Sequence, residues 1–126
     1  MEKIKTLEVL TMGVVGNMGN ENMQSCIDNC VKCTQACEEC LTLCLKEQDV
    51  AARIKCIQTL QDCIDICCLS AKYMIRNSEH AKHICKECAE ICEICAKECE
   101  MFKDEHCQKC AEICRQCAQE CMNMSK

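Results

Sequence analysis

The apolar positions of this chain recur at alternating steps of three and four residues, and cysteine occupies most of them. The three longest runs are Cys26, Cys30, Cys33, Cys37, Cys40 and Cys44; Cys85, Cys88, Cys92, Cys95 and Cys99; and Cys107, Cys110, Cys114, Cys117 and Cys121. Alternating steps of three and four align side chains along one face of an α-helix, and Glu, Lys and Gln fill the positions between them. The pattern therefore predicts long helices whose inward stripe consists of thiols, where leucine and isoleucine are usual.

Helix-capping residues and short breaks divide this region into four helices. The predicted helices span 21–46, 49–76, 78–102 and 104–122, with Asp49, Ser78 and Asp104 as N-caps of the last three. Short connections force consecutive helices to run antiparallel. The predicted fold class is all-α, an up-down-up-down antiparallel four-helix bundle with a cysteine-lined core.

The N-terminal segment differs from the rest of the chain. Residues 1–20 form a separate extension in this prediction, a short amphipathic helix that ends at Gly13, and residues 21–126 form the bundle. Glu8 interrupts the apolar stretch and no clear cleavage site follows, so we do not expect a signal peptide. We therefore predict a cytoplasmic protein, and cysteines in a reducing cytosol are more often metal ligands or catalysts than disulfides.

Composition and charge narrow the possible partners. The 126 residues include 20 cysteines, no proline, and only Tyr73 and Phe102 as aromatic residues. The net charge of −5 without a basic block argues against nucleic-acid binding, and no apolar run is long enough to span a membrane. Without cysteine, apolar residues make up only about a third of the chain, so thiols must fill much of the interior.

The second predicted helix departs from the pattern. Its stripe is Cys56, Leu60, Cys63, Cys67, Ser70 and Met74. Cys68 lies off this stripe, on a second apolar face with Ile57, Ile64, Ala71 and Ile75. A second apolar face has no use inside a bundle, so we predict that it buries against another subunit and that Cys68 is a buried thiol without a role in binding.

Three kinds of chemistry compete for a stripe of thiols. Disulfide-stapled proteins have irregular cysteine spacing in loop-rich sequence, whereas helical spacing is kept throughout this chain. Structural zinc sites use C-x-x-C pairs on turns, and ferredoxin-type iron–sulfur runs need a proline and a spacing that this chain lacks. The third chemistry, Cu(I) binding, fits the pattern best.

Cu(I) is a soft ion that prefers thiolates and accepts two or three of them. Cysteines four residues apart on a helix have Cβ atoms about 5–6 Å apart, so their sulfurs can converge on one ion. The chain contains eight such pairs, at 26/30, 33/37, 40/44, 63/67, 88/92, 95/99, 110/114 and 117/121. Repetition of the pair makes multiple Cu(I) ions per chain the predicted cargo.

Electrostatics predicts how these ions are held. A Cu(I) ion with two unshared thiolates carries a net negative charge, and we expect no counter-charge in the core. Sharing each thiolate between two ions gives neutral clusters. We therefore predict bridged clusters and a capacity above about ten Cu(I) ions per chain, approaching the number of thiols.

The C-terminal half resembles the bacterial copper storage proteins of the cytosolic type, through ICKECAEICEICAKEC and HCQKCAEICRQCAQEC at residues 84–99 and 106–121. That resemblance implies a four-helix bundle, commonly a tetramer, filled with Cu(I). It implies as metal ligands Cys26, Cys30, Cys33, Cys37, Cys40, Cys44, Cys56, Cys63, Cys67, Cys85, Cys88, Cys92, Cys95, Cys99, Cys107, Cys110, Cys114, Cys117 and Cys121. It also implies that His106 lies at the mouth of the core.

Two features of the helix ends stay open at this point. His106 is either a solvated surface residue or a transient ligand for incoming copper. Met23, Met74 and Met124 fall on the stripe at the opposite end, where they either form an apolar plug or hand copper in through their thioethers.

The sequence thus favours a cytoplasmic Cu(I) storage protein that is not an enzyme, because many equivalent thiols indicate capacity and one activated thiol would suffice for catalysis. The alternative is a general thiol buffer for zinc or cadmium, resembling metallothionein. A disulfide-based redox protein is a third hypothesis.

Overall fold

The computed structural model describes residues 14–15 and 21–126 and confirms the all-α prediction over that part of the chain. It contains helices α1 (Glu21–Cys44), α2 (Ile54–Ile75), α3 (Ala81–Glu100) and α4 (Glu105–Ser125), with a 3₁₀ turn (Val50–Arg53) leading into α2. Consecutive helices pack side by side, and α1 closes the bundle against α4. The start of α1 meets the end of α4 and the end of α1 meets the start of α4, so these two helices run antiparallel. The sulfur contacts between α2 and α3 show the same arrangement for that pair.

Two predicted N-caps have a different role. The side chains of Asp49 and Asp104 accept no capping hydrogen bond from the first turn of the helix that follows. Both carboxylates instead bind Arg53, at 2.6 Å from its Nε and Nη1 atoms respectively. A buried guanidinium therefore competes successfully with the backbone N–H groups for these oxygens. Ser78 comes closer to its predicted role, since its Oγ accepts a hydrogen bond from the backbone N–H of His80 at 3.1 Å.

The core of the bundle is made mostly of small side chains. Leu60 and Met74 are the largest fully buried side chains, and cysteines make up most of the remainder. Alanines from α3 and α4 complete the interior at 0–3% exposure, namely Ala89, Ala96, Ala111 and Ala118. Such small residues let neighbouring helices approach closely, which brings their cysteine stripes within contact distance.

The second face of α2 is partly open in the single chain. Cys68 is exposed there, and its predicted burial on a face that packs against another subunit stays a prediction. Its Sγ lies 3.7 Å from Oγ1 of Thr34 on α1. The position after Cys67 is turned about 100° away from the stripe, which leaves Cys68 at the rim of the α1–α2 contact. Ala71 is buried and Ile64 packs against the core, so part of this face is covered within the chain.

The N-terminal extension falls almost wholly outside the described residues. Only Val14 and Val15 are described, and they form a turn whose side chains are exposed. The predicted helix over the first part of the chain and the boundary between residues 1–20 and 21–126 stay predictions.

Candidate metal centre

The cysteine stripes of all four helices face one interior. Every cysteine predicted as a ligand is buried at 0–2% exposure: Cys26, Cys30, Cys33, Cys37, Cys40, Cys44, Cys56, Cys63, Cys67, Cys85, Cys88, Cys92, Cys95, Cys99, Cys107, Cys110, Cys114, Cys117 and Cys121. All are free thiols. Their nearest sulfur–sulfur contacts lie between 3.6 and 4.0 Å, far longer than a disulfide bond of about 2.05 Å.

Sulfurs from three helices meet near the middle of the bundle. Sγ of Cys33 lies 3.8 Å from Sγ of both Cys63 on α2 and Cys114 on α4. Cys37 approaches the same Cys114 sulfur at 3.7 Å. The four sulfurs lie within 4.8 Å of one another, so side-chain rotation alone can bring them onto a common ion.

Neighbouring sulfur groups share members. Cys67 and Cys117 belong to one group with Cys30 and Cys88, and to a second group with Cys33 and Cys92. Sγ of Cys67 lies 3.7 Å from Sγ of both Cys88 and Cys92. A sulfur that faces two groups can bridge two ions, which is the arrangement that the charge balance of a thiolate cluster requires.

The predicted pairs along one helix account for only part of this geometry. Among them, the pairs 33/37, 63/67 and 88/92 have sulfurs in contact, at 4.0, 3.9 and 3.8 Å. Most other sulfur contacts join different helices, as between Cys56 and Cys99 at 3.8 Å. Sequence spacing reveals neighbours on one helix, whereas contacts between helices depend on how the helices are rotated and shifted against each other.

One end of the core is apolar, and we call it the methionine end (Met23, Cys26, Met74, Cys85, Cys121). The sulfurs of its three cysteines lie within 4.8 Å of one another, and Cys26 Sγ is 3.7 Å from Cys121 Sγ. Met74 is 2% exposed. Met124 and Met23 pack against the core at the same end, which confirms the predicted grouping of these methionines.

The opposite end, the polar end (Cys40, Cys44, Arg53, His106, Cys107), contains a charge that we did not expect. Arg53 is only 4% exposed. Its Nη1 donates to Sγ of Cys44 and to Sγ of Cys107, both at 3.6 Å. Its guanidinium also lies over the ring of Phe102, 4.4 Å from the centroid. The prediction that the core offers no counter-charge is therefore wrong at this end.

The charge on Arg53 is held firmly. Burial disfavours the charged form, but hydrogen bonds to Asp49, Asp104 and Cys44 raise the pKa of Arg53 above its ordinary value. The same contact lowers the pKa of Asp104, because the guanidinium stabilises its carboxylate. Single arginines next to cysteine stripes have no sequence signature of their own. The only available signal was the position of Arg53 just before Cys56, at the end of the bundle that also receives Cys107.

His106 contacts the thiols directly. Its Nδ1 lies 3.6 Å from Sγ of Cys40 and 3.5 Å from Sγ of Cys107. Its Nε2 lies 3.3 Å from Oε1 of Glu47. The side chain is 18% exposed, so His106 contacts the buried sulfurs and also reaches solvent. The hypothesis that His106 is merely a solvated surface residue does not fit these contacts.

Burial also affects the thiols at the polar end. Loss of solvation, followed by the charge of Cys44, raises the pKa of Cys107 from its ordinary value of 9.0 to about 12. The thiol of Cys107 in the metal-free core is thus neutral at physiological pH. Metal binding to Cys107 must then displace its proton, so the apparent affinity for metal at this end increases with pH.

The stability of the metal-free protein should consequently fall at alkaline pH. Between these two pKa values a folded chain keeps the proton of Cys107, whereas an unfolded chain has lost it. The contribution of Cys107 to the free energy of unfolding is therefore complete below the unfolded pKa of 9.0 and disappears as pH rises through about 12. Urea denaturation of the metal-free protein across that interval measures the decline. The Cys107→Ser variant should decline less, because its hydroxyl does not titrate, and equal slopes would contradict the assignment.

A buried interior of converging free thiols, with bridging positions and one histidine at its end, defines a helical-bundle metal–thiolate protein. Among the described helices, none combines the length and the apolar character that a membrane span requires. This class of protein includes members that bind different metals, and similarity to known proteins indicates which metal applies.

The family model for copper storage proteins matches residues 19–126. This chain therefore belongs to the copper storage protein family. It is similar to the Cu(I)-bound copper storage protein BsCsp3, with 40% identity over 83% of this chain and 99% of the other, and a TM-score of 0.80. The copper storage protein Ccsp from Streptomyces lividans, solved with 10 copper equivalents, is 34% identical over 94% and 97% of the two chains, with a TM-score of 0.84. The uncharacterized cysteine-rich protein YhjQ of Bacillus subtilis strain 168 is 41% identical over 66% of this chain and 77% of its own length.

Proposed function

We propose that this protein stores Cu(I) as thiolate-bridged clusters inside its four-helix bundle. The sharing of the Cys67 and Cys117 sulfurs between neighbouring groups is the observation that carries the proposal. Solved relatives hold copper, one of them as Cu(I) and another at 10 equivalents. The buried cysteines named above are the proposed ligands, and His106 is the proposed ligand at the polar end.

Binding is an exchange of protons for metal within the core. Each thiol releases its proton to solvent when it becomes a ligand, and each bridging thiolate neutralises part of two Cu(I) charges. Equal numbers of Cu(I) ions and thiolates leave no net charge in the low-dielectric interior, where an uncompensated charge is costly. Enclosure by four helices keeps the ions away from solvent and from redox reactions there. Storage needs no catalytic residue, so we propose no enzymatic activity.

The chain is proposed to work in the cytoplasm, as a homo-oligomer that binds neither nucleic acid nor membrane. A solved relative from Streptomyces lividans is described as a cytosolic copper storage protein. Exposed apolar residues on α2, including Ile54 and Ile75 at 55% and 50% exposure, support association between copies. The tetramer implied by the family resemblance is the specific proposal. Light scattering of the metal-free and copper-loaded protein would measure the mass, and a monomer in both states would contradict it.

Anaerobic titration with Cu(I) against a chromophoric chelator tests the storage function. We expect more than about ten tightly bound ions per chain, because bridging moves the ratio of copper to thiolate towards one. Cys68→Ser is the matched control: this thiol is exposed and lies outside the sulfur groups, so its loss should not change the capacity. Saturation at one or two ions would disprove storage.

The same titration, repeated with Zn²⁺, distinguishes a Cu(I) storage protein from a general zinc or cadmium buffer. Such a buffer would load several Zn²⁺ ions into the four-sulfur groups of the core. Each zinc with four thiolates carries a net charge of about −2, and no buried cation lies beside the central groups of the described bundle. We therefore expect zinc to compete poorly with Cu(I) there, and comparable loading of both metals would favour the buffer.

A further inference from the structure

The polar end holds a set of ligands unlike any other in the described core. The sulfurs of Cys40, Cys44 and Cys107 and a ring nitrogen of His106 all lie within 4.8 Å of one another. Sγ of Cys107 is 3.8 Å from Sγ of both Cys40 and Cys44. Three thiols and one imidazole are a frequent ligand set of tetrahedral zinc.

The spacing of these atoms suits a tetrahedral ion. With Zn–S bonds of about 2.3 Å and Zn–N bonds of about 2.0 Å, a regular tetrahedron has edges of about 3.8 Å between sulfurs and about 3.5 Å between sulfur and nitrogen. The observed sulfur–sulfur distances from Cys107 are both 3.8 Å. The distances from His106 Nδ1 to the sulfurs of Cys40 and Cys107 are 3.6 and 3.5 Å. Little movement is needed to enclose an ion.

The histidine is oriented for this role by a carboxylate. Nε2 of His106 lies 3.3 Å from Oε1 of Glu47, so a protonated Nε2 donates to the carboxylate and leaves the Nδ1 lone pair facing the thiols. Metal-binding histidines in proteins are commonly fixed in this way, with the second ring nitrogen donating to a carboxylate. The contact selects both the tautomer and the direction of the ring.

The charges at this end favour a divalent ion. A Zn²⁺ ion with three thiolates and a neutral imidazole has a net charge of −1, and Arg53, which is also paired with Asp49 and Asp104, donates to the sulfurs of Cys44 and Cys107 at 3.6 Å. Cu(I) with the same ligands would leave a charge of −2. Arg53 is the only buried cationic side chain among the described residues, so no other sulfur group has a guanidinium as hydrogen-bond donor.

The outer charges of the polar end act in the same direction. The carboxylates of Glu47, Asp49 and Asp104 surround Arg53 and His106, at side-chain exposures of 37%, 52% and 28%. They reach solvent, which screens them more than the buried guanidinium–sulfur contacts. Their combined negative charge attracts a divalent cation more strongly than a monovalent one.

We propose that the polar end is a mononuclear Zn²⁺ site that is filled when copper is scarce and whose ligands pass to Cu(I) when copper is abundant. Cys40, Cys44, Cys107 and His106 are its ligands, and Arg53 is a positioning residue that holds a compensating charge against two of the sulfurs. On binding, the three thiols release their three protons to solvent while the imidazole stays neutral. This inference goes beyond copper storage and does not require it.

Co²⁺ is a direct probe of this site, because its visible spectrum reports tetrahedral geometry and thiolate ligation. Anaerobic titration of the metal-free protein should saturate at one Co²⁺ per chain, with d–d bands of tetrahedral intensity and sulfur-to-cobalt charge transfer. One equivalent of Zn²⁺ should then abolish the spectrum. Loading of several Co²⁺ ions per chain, or absence of any tetrahedral spectrum, would overturn the proposal.

Variants assign the residues. We expect His106→Ala to lower the Co²⁺ affinity at least about 10-fold and to shift the charge-transfer band, and Arg53→Gln to lower it about 10- to 100-fold. Arg115→Gln is the matched control, because Arg115 is a surface arginine that pairs with Glu93 and Glu100. The Co²⁺ affinity of the Arg115→Gln variant should equal that of the wild type.

The Arg53→Lys variant separates the effect of the positive charge on metal affinity from the effect of Arg53 on folding. If Arg53→Gln fails to fold by circular dichroism, Arg53→Lys must bind one Co²⁺ within about tenfold of the wild-type affinity for the proposal to stand, since the positive charge remains. Unchanged affinity in folded Arg53→Gln or in His106→Ala would overturn the corresponding assignment. Failure here is separable from failure of storage, because copper capacity above ten without a cobalt site would refute only the zinc site.

Discussion

Copper loading should raise the unfolding temperature of this protein by tens of degrees. An ion present at 100 times its dissociation constant stabilises the folded state by about 2.7 kcal/mol if the unfolded chain does not bind it. The thiols of the unfolded chain also bind Cu(I), so only part of this stabilisation of the folded state remains. Even about 1 kcal/mol per ion, summed over about ten ions, gives about 10 kcal/mol, and each kcal/mol moves the transition of a domain this size by about 4 °C.

Thermal unfolding followed by circular dichroism under anaerobic conditions measures this shift. The metal-free protein, the half-loaded protein and the saturated protein should unfold at successively higher temperatures. Cys68→Ser, which removes only the exposed thiol, should follow the wild type at each loading and controls for nonspecific binding. Equal unfolding temperatures with and without copper would mean that the ions bind outside the folded core.

Leu60→Ala should be the most damaging single truncation in the metal-free bundle. Leu60 is fully buried and stands where the α2 stripe would otherwise have cysteine. Truncation of a buried leucine to alanine costs about 2–5 kcal/mol, through lost transfer energy and the cavity that remains. A core of small thiols offers few large side chains that could fill this cavity, so we expect a cost in the upper half of that interval.

Urea denaturation at neutral pH gives the free energy of unfolding of Leu60→Ala against the wild type. Leu45→Ala is the matched control, because Leu45 is 55% exposed and a surface substitution of this kind changes stability by about 0.5 kcal/mol or less. A cost below about 1 kcal/mol for Leu60→Ala would show that the thiols repack around the gap.

The number and direction of the helices could be predicted from the cysteine pattern and the short connections. Steps of three and four residues place side chains on one face of an α-helix. The repeat in α3 and α4 also placed Cys92 and Cys114 in the interior, and the topology placed Met23, Met74 and Met124 at the same end. These features depend on local periodicity and on short connections, both of which can be seen in one chain. Burial of all the predicted ligands, from Cys26 to Cys121, is the direct consequence.

The features that the sequence did not reveal depend on the relative placement of helices. Whether Cys67 faces Cys88 or Cys92, or both as observed, is decided by small rotations between α2 and α3. Arg53 is buried because Asp104, from a distant part of the chain, comes within 2.6 Å of it. Neither relationship has a periodic signature, and the exposure of Cys68 likewise depends on how α1 lies against α2.

The dominance of cysteine in the interior has a mechanical consequence. A cysteine sulfur is separated from the backbone by one rotatable bond with three staggered positions, so it can move towards an ion while its helix stays still. The cysteine side chains in the interior of this bundle can therefore rotate to bind ions while the helix backbones stay in place. Uptake and release can proceed one ion at a time without refolding, and every intermediate degree of filling is compatible with the same backbone.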